Sequence, residues 1–353
     1  MKLASVGRAD LQSYLLETLF ASPEEEDRVL LCGSGLESFE ENVEKGRVVV
    51  TLCDGSEIVG SVLLACDGIR SKVRACMYDV ERDPLQFCNS IYYWGKITPP
   101  LGSDVEREIR KTQTYHEDGN SFIVGLGNQN MRGGFFVVPT SKRALWAYFI
   151  PSKEAPKNTE DLTRRGGGIL TEEGKRKLLS SIDESEFTVM KKIIESTPAE
   201  DITEAGLFDR TNLDLPYSTP GKLVALLGDA AHPQTPALGQ GVNMAITDAF
   251  VYATRVALAL NKTRGKTDSL TSSFESIPTA IASCDSAKRR KQAKKIILEA
   301  RRNQDLFARS SRCLSCFFRL IFKYAPLAWF VKEVERYDKS NREFVRRLDK
   351  DCI

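Results

Sequence analysis

The chain has 353 residues, 42% hydrophobic and 28% charged, with 50 Lys and Arg against 48 Asp and Glu for a net charge of +2. That length holds two domains with sizeable cores, and the near-balanced charge excludes a chain driven globally onto nucleic acid or an acidic partner. Nine Cys at irregular spacing read as reduced thiols of an intracellular, cytoplasmic protein and exclude a disulfide framework; an organellar or membrane-peripheral address stays open, because the lack of a leader is informative only if Met1 is the native start.

In chain order, "RADLQSYLLETLF" (8 to 20) sets Leu11, Leu15, Leu16 and Leu19 at the spacing of one amphipathic helix face. Asp54-Gly55 separates "VVVTLC" from "EIVGSVLLAC" as a hairpin signal, since both residues tolerate positive φ. "SVLLAC" ends at Asp67-Gly68, and "IRSKVRACM" follows as a helix. Residues 87 to 150 alternate as in an antiparallel sheet, with strands in "SIYYWGKIT", "SFIVGLG", "GGFFVVPT" and "RALWAYFI". Tyr92, Tyr93, Trp94, Phe135, Phe136 and Trp146 are candidates to line an apolar pocket there, although alternation sends half of any such set into packing.

Residues 151 to 168, polar and rich in Pro and Gly, read as a loop, with short helices over 171 to 182 and 185 to 196. A buried strand at 222 to 227 ends in Gly228-Asp229, and a helix starts near Gly241. The last 70 residues are helical in pattern, basic from 288 to 312 and then apolar in "CLSCFFRLIFKYAPLAWFV". That apolar run carries Arg319, Lys323 and Pro326 and is too short to cross a bilayer; contact with a membrane surface through these C-terminal helices is weighed against packing on the protein. The basic run lacks a nucleic-acid-binding fold around it, so no nucleic acid is expected. Cys313 and Cys316 make a lone C-x-x-C without a second pair at zinc spacing, so no metal is expected.

"GDAAHPQTPALGQGVNMAITDA" (228 to 249) puts a Gly-Asp at the end of a strand, a Pro-stiffened bend, and a helix whose first turn holds Gly239-Gln240-Gly241. Strand ends of open α/β sheets are where ligands bind. The Asp229 carboxylate can accept hydrogen bonds from sugar-like hydroxyls, and the helix start offers unpaired N–H groups and a positive dipole end. The bend suits a polyhydroxylated ligand with an anionic end.

This stretch resembles the Gly-Asp motif of the FAD-dependent aromatic hydroxylase and epoxidase family, typified by para-hydroxybenzoate hydroxylase, salicylate hydroxylase and zeaxanthin epoxidase. "ACDGIRSKVR" (65 to 74) resembles its Asp-Gly motif, and "VGRADLQSYLLETL" (6 to 19) its Arg-x-x-Leu helix, in the family's order. The resemblance implies an α/β fold: a Rossmann-like FAD-binding domain in two parts (1–86 and 201–265), an antiparallel-sheet substrate domain (87–200) and a C-terminal helical region (266–353). It implies that Gly228 and Asp229 hold the ribityl chain, and that Pro236, Gly239, Gln240, Gly241, Val242 and Asn243 face the flavin and pyrophosphate. Arg8 would reach the FAD phosphates, and Asp67, Gly68 and Arg70, with Arg74 nearby, would serve FAD and NAD(P)H. No catalytic residue is singled out. The implied reaction is reduction of FAD by NADH or NADPH followed by transfer of one oxygen atom from O2 to a small apolar or aromatic substrate.

The pattern departs from the family at its start, where a strand and a G-x-G-x-x-G turn are expected. The four G-x-G pairs here have Ser38, Asn130, Thr171 and Met244 in the sixth position. The expectation is therefore that the first βαβ unit, roughly a hundred residues with its connections, is lacking, and that the chain as it stands binds FAD weakly or not at all. Alternatives to the monooxygenase are a related FAD-dependent reductase or halogenase, or a non-catalytic remnant that binds a partner or membrane. His232 reads as a hydrogen-bonding strut rather than a base, and His116 as a surface-turn residue.

Overall fold

The computed structural model describes residues 8–21, 29–79, 81–107, 123–126, 134–139, 144–156, 168–182, 184–263 and 276–309. In chain order the elements are α1 (Arg8–Leu19), β1 (Leu36–Asn42), β2 (Arg47–Leu52), β3 (Glu57–Gly60), β4 (Leu63–Ala65), α2 (Lys72–Met77) and β5 (Leu85–Ile97). There follow β6 (Ile123–Leu126), β7 (Gly134–Pro139), β8 (Ala144–Pro151), β9 (Gly168–Ile169), α3 (Glu172–Ser180), α4 (Glu184–Glu195) and β10 (Ile202–Arg210). The last are β11 (Val224–Leu226), α5 (Gly241–Thr263), α6 (Ile277–Cys284) and α7 (Ala287–Arg309). Two compact units emerge: a motif-bearing unit within 33–88 and 208–305, and a sheet unit within 1–32, 89–207 and 306–319. The chain passes between them after Cys32, inside β5, inside β10 and inside α7.

The motif-bearing unit joins a three-stranded antiparallel sheet, β1-β2-β3, to a parallel pair, β4 and β11. Its hairpin turns at Asp54-Gly55, where Gly55 N–H donates to Leu52 O at 2.9 Å and the Asp54 carboxylate accepts from Ser56 N–H at 2.9 Å. The run "EIVGSVLLAC", which alternation alone leaves continuous, is two strands in two sheets: the chain bends at Ser61, so β3 pairs with β2 while β4 pairs with β11. The core gathers Val224, Ala225 and Leu226 of β11 with Met244, Val251, Tyr252, Val256 and Ala259 of α5, whose spacing makes one buried helix face. Ala280 of α6 and Ala293 and Ala300 of α7 are fully buried in the same core.

The sheet unit is a six-stranded sheet in the order β6-β7-β8-β5-β10-β9, antiparallel from β6 through β5 and between β10 and β9. Alternation along β5 and β8 splits the aromatic set. Tyr93, Ile97, Trp146 and Tyr148 lie in the core with Leu178 of α3 and Met190, Ile193 and Ile194 of α4, whereas Tyr92 and Trp94 belong to the other face. Gly95 sits opposite Trp146, and a Cβ there would come within 2.7 Å of the indole. Thr171 starts α3 by accepting a hydrogen bond from Gly174 N–H, with Glu172 and Glu173 at the positive end of the helix.

The expected leucine face of α1 forms in spacing but not in burial, since Leu15 and Leu19 are exposed. The loop expected over 151 to 168 ends in β9, which pairs with β10. Phe135 and Phe136 lie on β7, their side chains outside the described residues, as are His116, Cys313, Cys316 and the whole of 310 to 353. Among the described residues, no helix is long and apolar enough to cross a membrane.

Candidate functional site

Parallel pairing sets Leu226 beside Ala65, so β4 and β11 end together and deliver Asp67-Gly68 and Gly228-Asp229 to the same edge of the motif-bearing unit. Two motifs more than 150 residues apart in sequence (67 and 229) become neighbours through that register.

Gly228 has a φ of +56°, and a Cβ on it would meet the Ala245 Cβ at 3.1 Å; the turn uses both the left-handed backbone and the close approach of α5. The 3-10 turn Gly228–Ala230 follows, closed by bonds from Ala231 N–H and His232 N–H to Gly228 O, both 2.9 Å. Asp229 is solvent-exposed and has no hydrogen-bond partner among the described residues. Neighbouring atoms nonetheless take part of the solvent from its carboxylate and raise its pKa, against the pull of His232. Gly241, the first residue of α5, faces it: a Cβ on Gly241 would lie 3.9 Å from Asp229 Oδ1 and 4.0 Å from Gln234 Nε2.

Between them, Pro236 opens the 3-10 turn Pro236–Leu238 and Gly239 closes it at φ +60°. Gln240 is buried, and its Oε1 accepts from Asn243 Nδ2 at 3.3 Å. Val242 is exposed. Helical bonding begins with Met244 N–H to Gln240 O at 3.0 Å, so the N–H groups of the first α5 residues point out of the helix end.

The Asp-Gly side is built differently. Asp67 Oδ2 accepts from Lys72 N–H at 2.8 Å and Val73 N–H at 3.2 Å, which caps α2. Gly68 turns at φ +81°, and Arg70 lies 5.7 Å over the Phe208 ring. Arg74 is buried; its Nη1 donates to Ala230 O at 3.0 Å and Ala231 O at 2.6 Å, while Nε donates to Asp83 Oδ2 at 2.5 Å. Arg210 donates to the same Asp83 carboxylate at 3.1 Å and to Ile69 O at 2.8 Å. Arg74 thus holds the two motifs together through backbone carbonyls. Arg8 is the first residue of α1 in the sheet unit, its side chain outside the described residues.

Several residues of this edge escape sequence reading. Asp248 sits inside the quoted motif; its Oδ2 lies 2.5 Å from His232 Nε2 and accepts from Gly228 N–H at 2.9 Å, and its Oδ1 accepts from Arg289 Nη2 at 2.6 Å. Burial alone would push its pKa up, but the charge and hydrogen bond of His232, then Arg289 and the Gly228 N–H, hold it well below the usual carboxylate range. The basic run on α7 is also engaged here: besides Arg289, Arg290 pairs with Asp285, Lys294 with Asp214 and Arg301 with Asp209. Spacing shows a basic helix; only the fold shows which carboxylates it meets.

The residues present fit the ribityl and flavin end of a flavin dinucleotide. A carboxylate without a partner faces a helix start kept clear by glycine, and the buried Gln234 Oε1 and Thr235 Oγ1 are also without hydrogen bonds among the described residues. A separate cavity of about 340 Å³, lined by Tyr93, Ile150, Leu170, Leu178 and Glu204 among others, belongs wholly to the sheet unit. Its Tyr93 hydroxyl donates to Glu204 Oε1 at 2.6 Å.

The family model described as FAD binding domain matches residues 11–285. The aurachin C monooxygenase/isomerase of Stigmatella aurantiaca is 29% identical over 232 residues, 66% of this chain and 51% of its own length. The chloroplastic zeaxanthin epoxidase of Spinacia oleracea is 29% identical over 261 residues, 73% of this chain and 32% of its own. The chain thus spans about half of the first relative's length and a third of the second's. In fold, it is similar to Klebsiella pneumoniae HpxO, solved with FAD and uric acid, with a TM-score of 0.60 at 20% identity, covering 94% of this chain and 68% of that one.

Proposed function

Because the chain belongs to the FAD binding domain family, whose cofactor is FAD, we propose that it forms part of an FAD-dependent monooxygenase that uses NAD(P)H and O2 on a small apolar or aromatic substrate. The chemistry supplied by bound FAD is electron transfer from the nicotinamide to O2, by which one oxygen atom is delivered to an aromatic ring or alkene. The protein's share is to bind, orient and keep water out.

Asp229 would accept hydrogen bonds from the ribityl hydroxyls, and Gly241 leaves the space in front of it open. The outward N–H groups of Gly241, Val242 and Asn243 offer their dipole to a pyrophosphate or an electron-rich ring. Gln234 and Thr235 bring buried hydrogen-bonding atoms to the same bend. Gly68 and Arg70 stand at the adjacent strand end, with Asp67 fixing α2 behind them. On the sheet unit, the face away from α3 and α4 carries Tyr92 and Phe149, with ring centroids 4.8 Å apart, and the exposed Trp94, a surface suited to a flat apolar substrate. The names of the two relatives, a monooxygenase/isomerase and an epoxidase, support the oxygen-transfer class.

One observation carries the reading: an unpartnered carboxylate at the end of β11, against the glycine that starts α5. Titrating the purified chain with FAD and following flavin fluorescence tests it. Asp229→Ala should weaken binding about 10- to 100-fold, the range of one hydrogen bond to a charged group. Measurable but equal affinity in the two proteins removes the proposal.

A further inference from the structure

Resting on that flavin-site reading, we infer that Asp248 is a positioning residue, which fixes the Asp229 carboxylate relative to the α5 N-terminus. The site has two ends, the turn at 228 to 232 and the first residues of α5, joined by a bend of eight residues from Pro233 to Gln240. Such a bend, with its two Pro, limits the separation of the ends without setting it. Asp248 sets it directly: it stands on α5 and bonds back to both sides of Asp229, to the Gly228 N–H at 2.9 Å and the His232 ring at 2.5 Å.

The carboxylate is suited to this because each oxygen has a separate task. Oδ2 takes the turn, while Oδ1 takes Arg289 from α7 at 2.6 and 3.2 Å. Asp248 and Arg289 are each less than 5% exposed, and His232 is 2% exposed, so these bonds form where water does not compete. Gly228 N–H belongs to a residue at φ +56°, whose peptide aims the next side chain. From the far side, Arg74 holds the carbonyls of Ala230 and Ala231. Asp229 itself, without a partner among the described residues, is carried on a backbone gripped from both directions.

The test is a double-mutant cycle on FAD affinity together with amide exchange in the flavin-free protein. Asp248→Asn should weaken FAD binding about tenfold in the wild-type background and less than about threefold beside Asp229→Asn, since a residue acting through Asp229 has nothing left to position. Without FAD, Asp248→Asn should speed amide exchange across 228 to 232 about tenfold and leave the β1-β2-β3 sheet unchanged. An equal loss of affinity in both backgrounds, or no loss, overturns the inference. Should Asp248→Asn fail to fold, Arg289→Lys, which keeps the charge and loses the two-pronged bond, replaces it in the cycle: a loss confined to the Asp229 background supports the brace, and an equal loss or none overturns it. If the wild type takes up no FAD, exchange at 228 to 232 alone decides the brace, and unchanged exchange ends it.

Discussion

Asp229 and Asp248 lie at opposite ends of one motif and titrate in opposite directions. The Asp248 pKa is depressed, so its contribution to stability is present above the unfolded-state value of about 3.9 and is lost as pH falls below it. The Asp229 pKa is raised, so its charge opposes folding at neutral pH and the opposition is relieved as pH falls through the folded value. Melting curves from pH 7 to pH 3 should therefore show Asp248→Asn losing less stability in acid than the wild type. Asp229→Asn should be at least as stable as the wild type at pH 7. Wild-type acid sensitivity in Asp248→Asn would contradict the depressed pKa, and a clear neutral-pH loss in Asp229→Asn the raised one. The difference between these carboxylates is invisible in the string: both are Asp followed by Ala in a largely apolar stretch, and only their neighbours in space separate an ionised strut from an unpartnered acceptor.

Among elements, the telling link is between α2 and the turn after β11. Arg74 reads in the sequence as one more basic residue near the Asp-Gly motif, and proximity to a phosphate is the natural expectation. In the fold its guanidinium is buried against Asp83, Ala230 and Ala231, because α2 follows β4 and β4 lies beside β11. Removing one member of such a buried pair costs about 3–5 kcal/mol. Arg74→Met should lower the urea midpoint accordingly and shift it much more than Arg302→Ala, whose partner Glu299 is 3.9 Å away on the same helix turn. Similar losses for the two would mean that Arg74 is not a brace. The hairpin at Asp54-Gly55, the strand ending in Gly228-Asp229 and the start of α5 at Gly241 were legible, since turn chemistry and periodicity are local. The break between β3 and β4 was not: "EIVGSVLLAC" satisfies a single strand, and its division depends on two different partner strands.

For the whole molecule, ligand binding and folding are linked. FAD that binds only the folded chain stabilises it by about 2.7 kcal/mol at a hundredfold excess over Kd. Adding FAD should raise the melting temperature by a few degrees, and Asp229→Ala, with its weaker binding, should show less than about half that rise at the same FAD concentration. A shift of equal size in both proteins would place the flavin elsewhere. Burial at this scale also departs from periodicity: Val242, Ile246 and Phe250 form an exposed apolar stripe on the face of α5 opposite its buried one, so the apolar residues of this helix exceed what the described core covers.

By itself the sequence determined the local steps and the chemistry they allow: where strands stop, where helices begin, that an Asp precedes a glycine-opened helix, and by resemblance that the ligand is a flavin. Tertiary structure alone decided which of those residues meet. It took β4 beside β11 to bring Asp67 and Asp229 to one edge, and the packing of α5 and α7 to turn Asp248 and Arg289 inward as supports. The physical reason is that hydrogen bonding along a strand or helix is short-ranged and written in nearby residues, whereas the partner of a buried charge is set by the path of the chain, here over separations of 41 residues for Asp248 and Arg289 and 157 for Arg74 and Ala231.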